Sequence, residues 1–119
     1  MTPNKAIEYV DEILPNVYET EDKYEWIKRL DGRVAVEVMG IEAPAYELPD
    51  FADSELLVGH PYDDIYQMYV MAMIHFHNHE YDLYNNVVLM FQERFDAYKA
   101  WYIRTHGSKK GKRFRNIMG

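Results

Sequence analysis

The sequence predicts an all-α domain, four-helix bundle-like, with a long ordered loop and a basic C-terminal arm. Three observations point there. Apolar residues recur at spacings of three and four in four separate segments. Each segment carries residues suited to starting or stopping a helix. Strand-like alternation competes in one stretch, residues 31–39.

The first helix spans residues 3–14. Thr2 is placed to cap it and Pro3 occupies the first helical position. Ala6, Ile7, Val10, Ile13 and Leu14 form one stripe, Pro15 stops the helix and Asn16 supports a turn. The second helix begins near Thr20, with Glu21 and Asp22 in its first turn, where the helix dipole favours anions. Tyr24, Ile27, Leu30, Val34 and Val38 keep the helical period. Asp31-Gly32 is also a hairpin dipeptide, and Val34, Val36 and Val38 alternate as in a strand. Helix is preferred because the period runs through Gly32 and no clear partner strand follows. The cost of an interior glycine is about 1 kcal/mol relative to Ala.

Residues 40–60 are the longest irregular stretch, punctuated by Gly40, Pro44, Pro49 and Gly59 and made acidic by Asp50, Asp53 and Glu55. A connection this long usually has a task of its own. Leu48, Phe51, Leu56, Leu57 and Val58 are available to pin it. Pro61 opens the third helix, which is apolar on nearly every face from Tyr62 to Phe76, as a central or shared helix would be. Asn78 is its expected left-handed terminator. The fourth helix runs from Tyr81 to His106 and closes at Gly107, with Tyr84, Val87, Val88, Phe91, Phe95, Tyr98 and Tyr102 inward. So short a connection makes the last two helices antiparallel neighbours.

The 119 residues suit one domain, 1–107, followed by an arm at 108–119. A hydrophobic content of 48% with 28% charge indicates a folded core. The absence of cysteine excludes a disulfide scaffold, a zinc ribbon, an iron–sulfur site and a cysteine nucleophile. No apolar run approaches the roughly 18 residues of a membrane span. Residues 1–5 lack the apolar stretch of a secretory signal, which points to the reducing cytosol or an assembly made there.

Net charge is −7, unevenly placed. Residues 1–64 carry 16 acids and 5 bases, and residues 65–119 carry 4 acids and 8 bases. Five bases, Lys109, Lys110, Lys112, Arg113 and Arg115, crowd the last twelve positions without an acid. Such a tail serves as a solvated end, a weak phosphate contact or an arm docking on an acidic neighbour.

Candidate chemistry is sparse. His75 and His79 would share a helix face at a spacing zinc sites use, but His-Glu-x-x-His is absent and His77 points away. The simpler reading is a polar helix end, where imidazoles meet the C-terminal dipole. Asp63-Asp64, Glu21-Asp22 and Asp11-Glu12 suit first turns or surfaces, since adjacent helical residues do not face each other. Ser54 and Ser108 have no partner set for nucleophilic catalysis, and the glycines form no phosphate loop. No cofactor is implied. The aromatics, 11 Tyr, 5 Phe and 2 Trp, suit either an aromatic-rich core or an oligomeric interface. Tyr62 and Tyr66, the acidic residues Asp50, Asp53 and Glu55, and the five basic arm residues are the candidate interface.

The segment Glu55 to Tyr66 (Glu-Leu-Leu-Val-Gly-His-Pro-Tyr-Asp-Asp-Ile-Tyr), with Tyr84-Asn85-Asn86, Met90-Phe91 and Tyr102-Ile103-Arg104-Thr105-His106, resembles small proteins encoded in the head-to-tail region of tailed bacteriophages. Trp26 to Val34, with its Leu-Asp-Gly-Arg turn of helix, is similar to the same group. The resemblance covers most of residues 5–106 and departs in the middle loop and the basic tail. It implies a head–tail connector or adaptor: a small α-helical subunit of a homo-oligomeric ring between the portal protein and the tail or a second connector. Such a ring lines a passage for DNA without sequence-specific contact, lies in the virion after assembly in the bacterial cytoplasm, and touches no membrane. The family offers no catalytic motif, so no enzymatic activity is expected. A ring is a heterologous assembly, which an acidic front and a basic arm suit, with residues 108–119 clamping an adjacent subunit or the portal. The alternatives are a tail-completion or tail-terminator protein, a small nucleic-acid-binding regulator with steep salt dependence, and a metal-dependent enzyme using the histidines.

Overall fold

A computed structural model describes residues 1–106, and the basic arm expected at 108–119 lies outside the described residues. Helix α1, Pro3–Ile13, starts as its sequence dictates. The Thr2 hydroxyl accepts from the Lys5 amide at 3.2 Å, and Pro3 stands where no amide is needed. Its buried stripe is Ala6, Ile7 and Val10. An Asx turn follows Pro15: the Asn16 side chain donates to the Leu14 carbonyl and accepts from the Tyr18 amide.

Helix α2, Thr20–Arg33, runs through Gly32 and widens into a π turn, Val34–Met39. The chain is therefore helical through 31–39, not a hairpin. Val34 is buried while Val36 is exposed, so the alternating valines report a helix face rather than a pleat. Gly40, at φ 68°, ends the turn with its amide on the Ala35 carbonyl.

The connection from Ile41 contains one 3₁₀ turn, Asp50–Asp53. Phe51, Leu56 and Val58 are buried and pin it, Leu57 is half-buried, and Leu48, expected among the pins, is exposed. Helix α3, Asp64–His77, begins three residues later than Pro61 suggests. The Pro61 carbonyl accepts from Arg94 Nη2 at 2.9 Å, and the Tyr62 amide closes a turn on Gly59.

Asn78 is not left-handed: its φ is −80°, and His79 takes the position at φ 61°. The reason is the bonding of the last turn. The His79 amide reaches the Phe76 carbonyl and the Glu80 amide reaches His75, the two bonds of a Schellman motif one residue further on. Helix α4, Tyr81–His106, then returns antiparallel to α3. Its 26 residues extend about 39 Å, within a molecule of 56 × 34 × 21 Å. Of the expected inner stripe, Phe91, Phe95 and Tyr98 are buried. Tyr84, Val87, Val88 and Tyr102 are half-buried, because α4 has only α3 and the π turn as substantial neighbours.

Helix α3 is central. It packs on α1, α2 and α4, which explains its apolar character on most faces. No strand occurs among the described residues, so the fold there is all-α. None of the described helices is long and apolar enough to cross a membrane.

Candidate interface surface

The surface around the 40–63 connection is set from inside by one carboxylate. Asp31 is 2% exposed. No Lys or Arg of the described residues pairs with it. Its charge is instead held by donors: Tyr66 Oη and the Leu57 amide (3.0 Å) on Oδ1, and Tyr46 Oη (2.6 Å) on Oδ2. The Tyr66 hydroxyl also accepts from the Val58 amide at 3.0 Å. One turn of α2 thereby grips α3 and both halves of the connection. Burial, reinforced by the Asp31 carboxylate, pushes the hydroxyl pKa of Tyr66 far up. Burial and the Asp31 hydrogen bond do the same for Tyr46, so both remain proton donors.

Tyr66, expected at the surface, is buried instead. Its side chain is 0% exposed, because its hydroxyl is needed inside. Tyr62 is half-buried and remains at the surface. Its ring lies 5.7 Å from both Tyr98 and Trp101, with the Arg94 guanidinium 5.4 Å above. Arg94 also pairs with Asp64 at 3.2 Å, which locks the start of α3 to α4. Burial pushes the Tyr98 hydroxyl up to about 12.

Two clefts open beside this anchor. One, about 390 Å³, is lined by Tyr46, Glu47, Asp50, Phe51, Glu55 and Leu57 and is acidic. The other, about 170 Å³, is aromatic, walled by Leu57, Tyr62, Tyr98, Trp101, Tyr102 and His106. Leu57 borders both. The expected acidic residues are all exposed. Asp50, at the cleft rim, forms no ion pair among the described residues, Asp53 accepts from Asn4 Nδ2 at 3.0 Å, and Glu55 pairs with the terminal amine of Met1 at 3.0 Å. Lys109, Lys110, Lys112, Arg113 and Arg115 lie outside the described residues.

The three clustered histidines go to three surroundings. His75 is buried with Nδ1 3.1 Å from Glu80 Oε1, and hydrogen bonds from His75 and Asn78 hold the Glu80 carboxyl below its usual range. His77 stacks on Trp26, with ring centroids 5.3 Å apart. His79 meets the Tyr81 hydroxyl at 2.7 Å. The helix ends at His77, so the assumed common face of His75 and His79 does not exist. Among the described residues no three His, Asp or Glu side chains converge to hold a metal.

Sequence reasoning missed the two flanks. On α1 and just beyond it, Tyr9, Ile13 and Val17 are exposed; on α4, Leu83, Leu89, Met90 and Ile103 are. Leu83 and Met90, seven residues apart, share a helix face and could have been read as a second apolar stripe beside the inner one. No protein-family model, curated protein or solved structure matches this chain.

Proposed function

We propose that the protein is a structural subunit of a tailed-phage particle, a head–tail connector that assembles into a ring between portal and tail. The observation that carries the reading is the exposure of large apolar side chains on two different flanks of the central α3. Val17, 89% exposed, lies beyond the α1 end, and Leu89, 69% exposed, lies on α4. A lone apolar side chain at the surface is ordinary, but several of them on each of two elements mark association. Two dissimilar flanks make a heterologous contact, and a heterologous contact that closes makes a ring. The resemblance of Glu55–Tyr66 and of the α4 segments to connector proteins supports the same assignment. The anchored Asp31 fits it too, since a surface whose loops are held before contact loses less conformational entropy on assembly.

The test is native mass spectrometry and negative-stain microscopy of the full chain, alone and with a portal ring. A closed ring is expected under one of these conditions, with Ile13→Asp or Leu89→Asp leaving the subunit folded but unassembled. A wild-type chain that stays monomeric alone and beside a portal ring overturns the proposal. Rings that form on tail tubes but never on portals reassign the protein to tail completion or termination.

A further inference from the structure

We propose that the aromatic cleft and its acidic neighbour are the docking site of the chain's own residues 107–119. The inference stands whether or not the protein is a connector. Three features select this occupant. The first is place: His106, the residue before the segment, is part of the cleft wall, with its ring stacked 4.2 Å from Tyr102. The segment therefore starts at the site, and covalent attachment gives it the high effective concentration of a short linker.

The second is chemistry. Residues 40–60 hold Glu42, Glu47, Asp50, Asp53 and Glu55 and no Lys or Arg. Among the described residues Glu42, Glu47 and Asp50 form no ion pair. The segment supplies the complement: five bases, no acid, and the apolar Phe114, Ile117 and Met118. Guanidinium groups also stack favourably on Tyr and Trp faces.

The third is size. A cavity of about 150 Å³ admits a benzene ring, and the aromatic cleft is about 170 Å³. Phe114 lies eight residues beyond His106, a reach of up to roughly 26–29 Å. That is ample for its ring to return to the cleft while the bases lie along the acidic rim past Leu57.

The chain has no cysteine, so Asn116→Cys gives a single attachment point for bimane, a fluorophore quenched on contact with Trp and Tyr. In the labelled full chain the expected result is a quenched probe. Its emission should rise severalfold in 0.5 M NaCl, in Glu47→Gln/Asp50→Asn and in Trp101→Leu, and should not change on tenfold dilution of the protein. Glu47 and Asp50 are exposed and outside the core, so the double variant keeps the test valid if Trp101→Leu misfolds. Emission indifferent to salt and to the double variant overturns the proposal. Quenching that disappears on dilution also overturns it, because the arm then docks on a second copy.

Discussion

Replacing Tyr66 by Phe removes one oxygen and tests the anchor at its centre. The hydroxyl donates to Asp31 and accepts from the Val58 amide, and both partners are buried. A hydrogen bond to a charged group contributes about 1.5–3 kcal/mol, and an orphaned buried donor costs about 1–3 kcal/mol. Tyr66→Phe should therefore destabilise the fold by about 3–4 kcal/mol. Asp31→Ala orphans the Tyr66 hydroxyl and the Leu57 amide, while half-exposed Tyr46 recovers water, so about 3–5 kcal/mol is expected. Because the two residues share one bond, the double variant should cost less than the sum of the singles by about 1.5–3 kcal/mol. Urea unfolding followed by tryptophan fluorescence measures all four corners, provided the slope is unchanged. The effect is large against a total stability of about 5–15 kcal/mol. Tyr66→Phe within about 0.5 kcal/mol of wild type, or costs that simply add, would show that the anchor is not what holds the connection.

Other expectations follow from single positions. Gly32 has negative φ, and a Cβ there would meet Ala43 at an ordinary 3.6 Å, so Gly32→Ala should stabilise by about 0.5–1 kcal/mol in the same assay. His79 holds a left-handed φ that glycine adopts freely, and its side chain touches little beyond Tyr81. His79→Gly should therefore stabilise the fold by about 0.5–1 kcal/mol, and a loss would mean that the Tyr81 contact outweighs the backbone relief. The Tyr98 hydroxyl is raised to about 12, and those of Tyr46 and Tyr66 are raised as well. Their folded pKa values exceed the unfolded value of about 10, so their stabilisation is complete below that pH and is lost as pH climbs above it. Absorbance at 295 nm should show some tyrosines ionising only as the helical circular dichroism collapses; smooth ionisation of all of them with the helices intact would contradict the buried assignments.

What the sequence disclosed and what it concealed divide along one physical line. Signals that act within a few residues were legible. Thr2 and Pro3 start α1, the helical period carries through Gly32, and the unrelieved apolar run of α3 marks its central place. The hidden features are those in which distant residues decide. Asp31 looks like half of a turn dipeptide until Tyr66 and Leu57, 35 and 26 residues away, arrive to hydrogen-bond it. Tyr66 looks like an interface residue for the same reason, since a tyrosine in a helix gives no sign of which way its hydroxyl is needed. The histidines were misplaced by a shorter error. Asn is the more usual left-handed residue, but the bonds of the last turn put that role on His79 and turned the imidazoles apart.

The grip of Asp31 on Leu57 and Tyr46 also divides the long connection mechanically. The hydrogen bond from the Leu57 amide to Asp31 and the bond that the Val58 amide donates to Tyr66 make a clamp, leaving an exposed outer arc around Ile41–Ala45 and an inner one approaching α3. Extra residues or a grafted peptide in the outer arc should leave the helices undisturbed, since loop closure grows only slowly with length. The same insertion between Leu57 and Pro61 would have to pull against the clamp. The connection thus behaves as two short loops meeting at a rivet, and only one of them is free to vary.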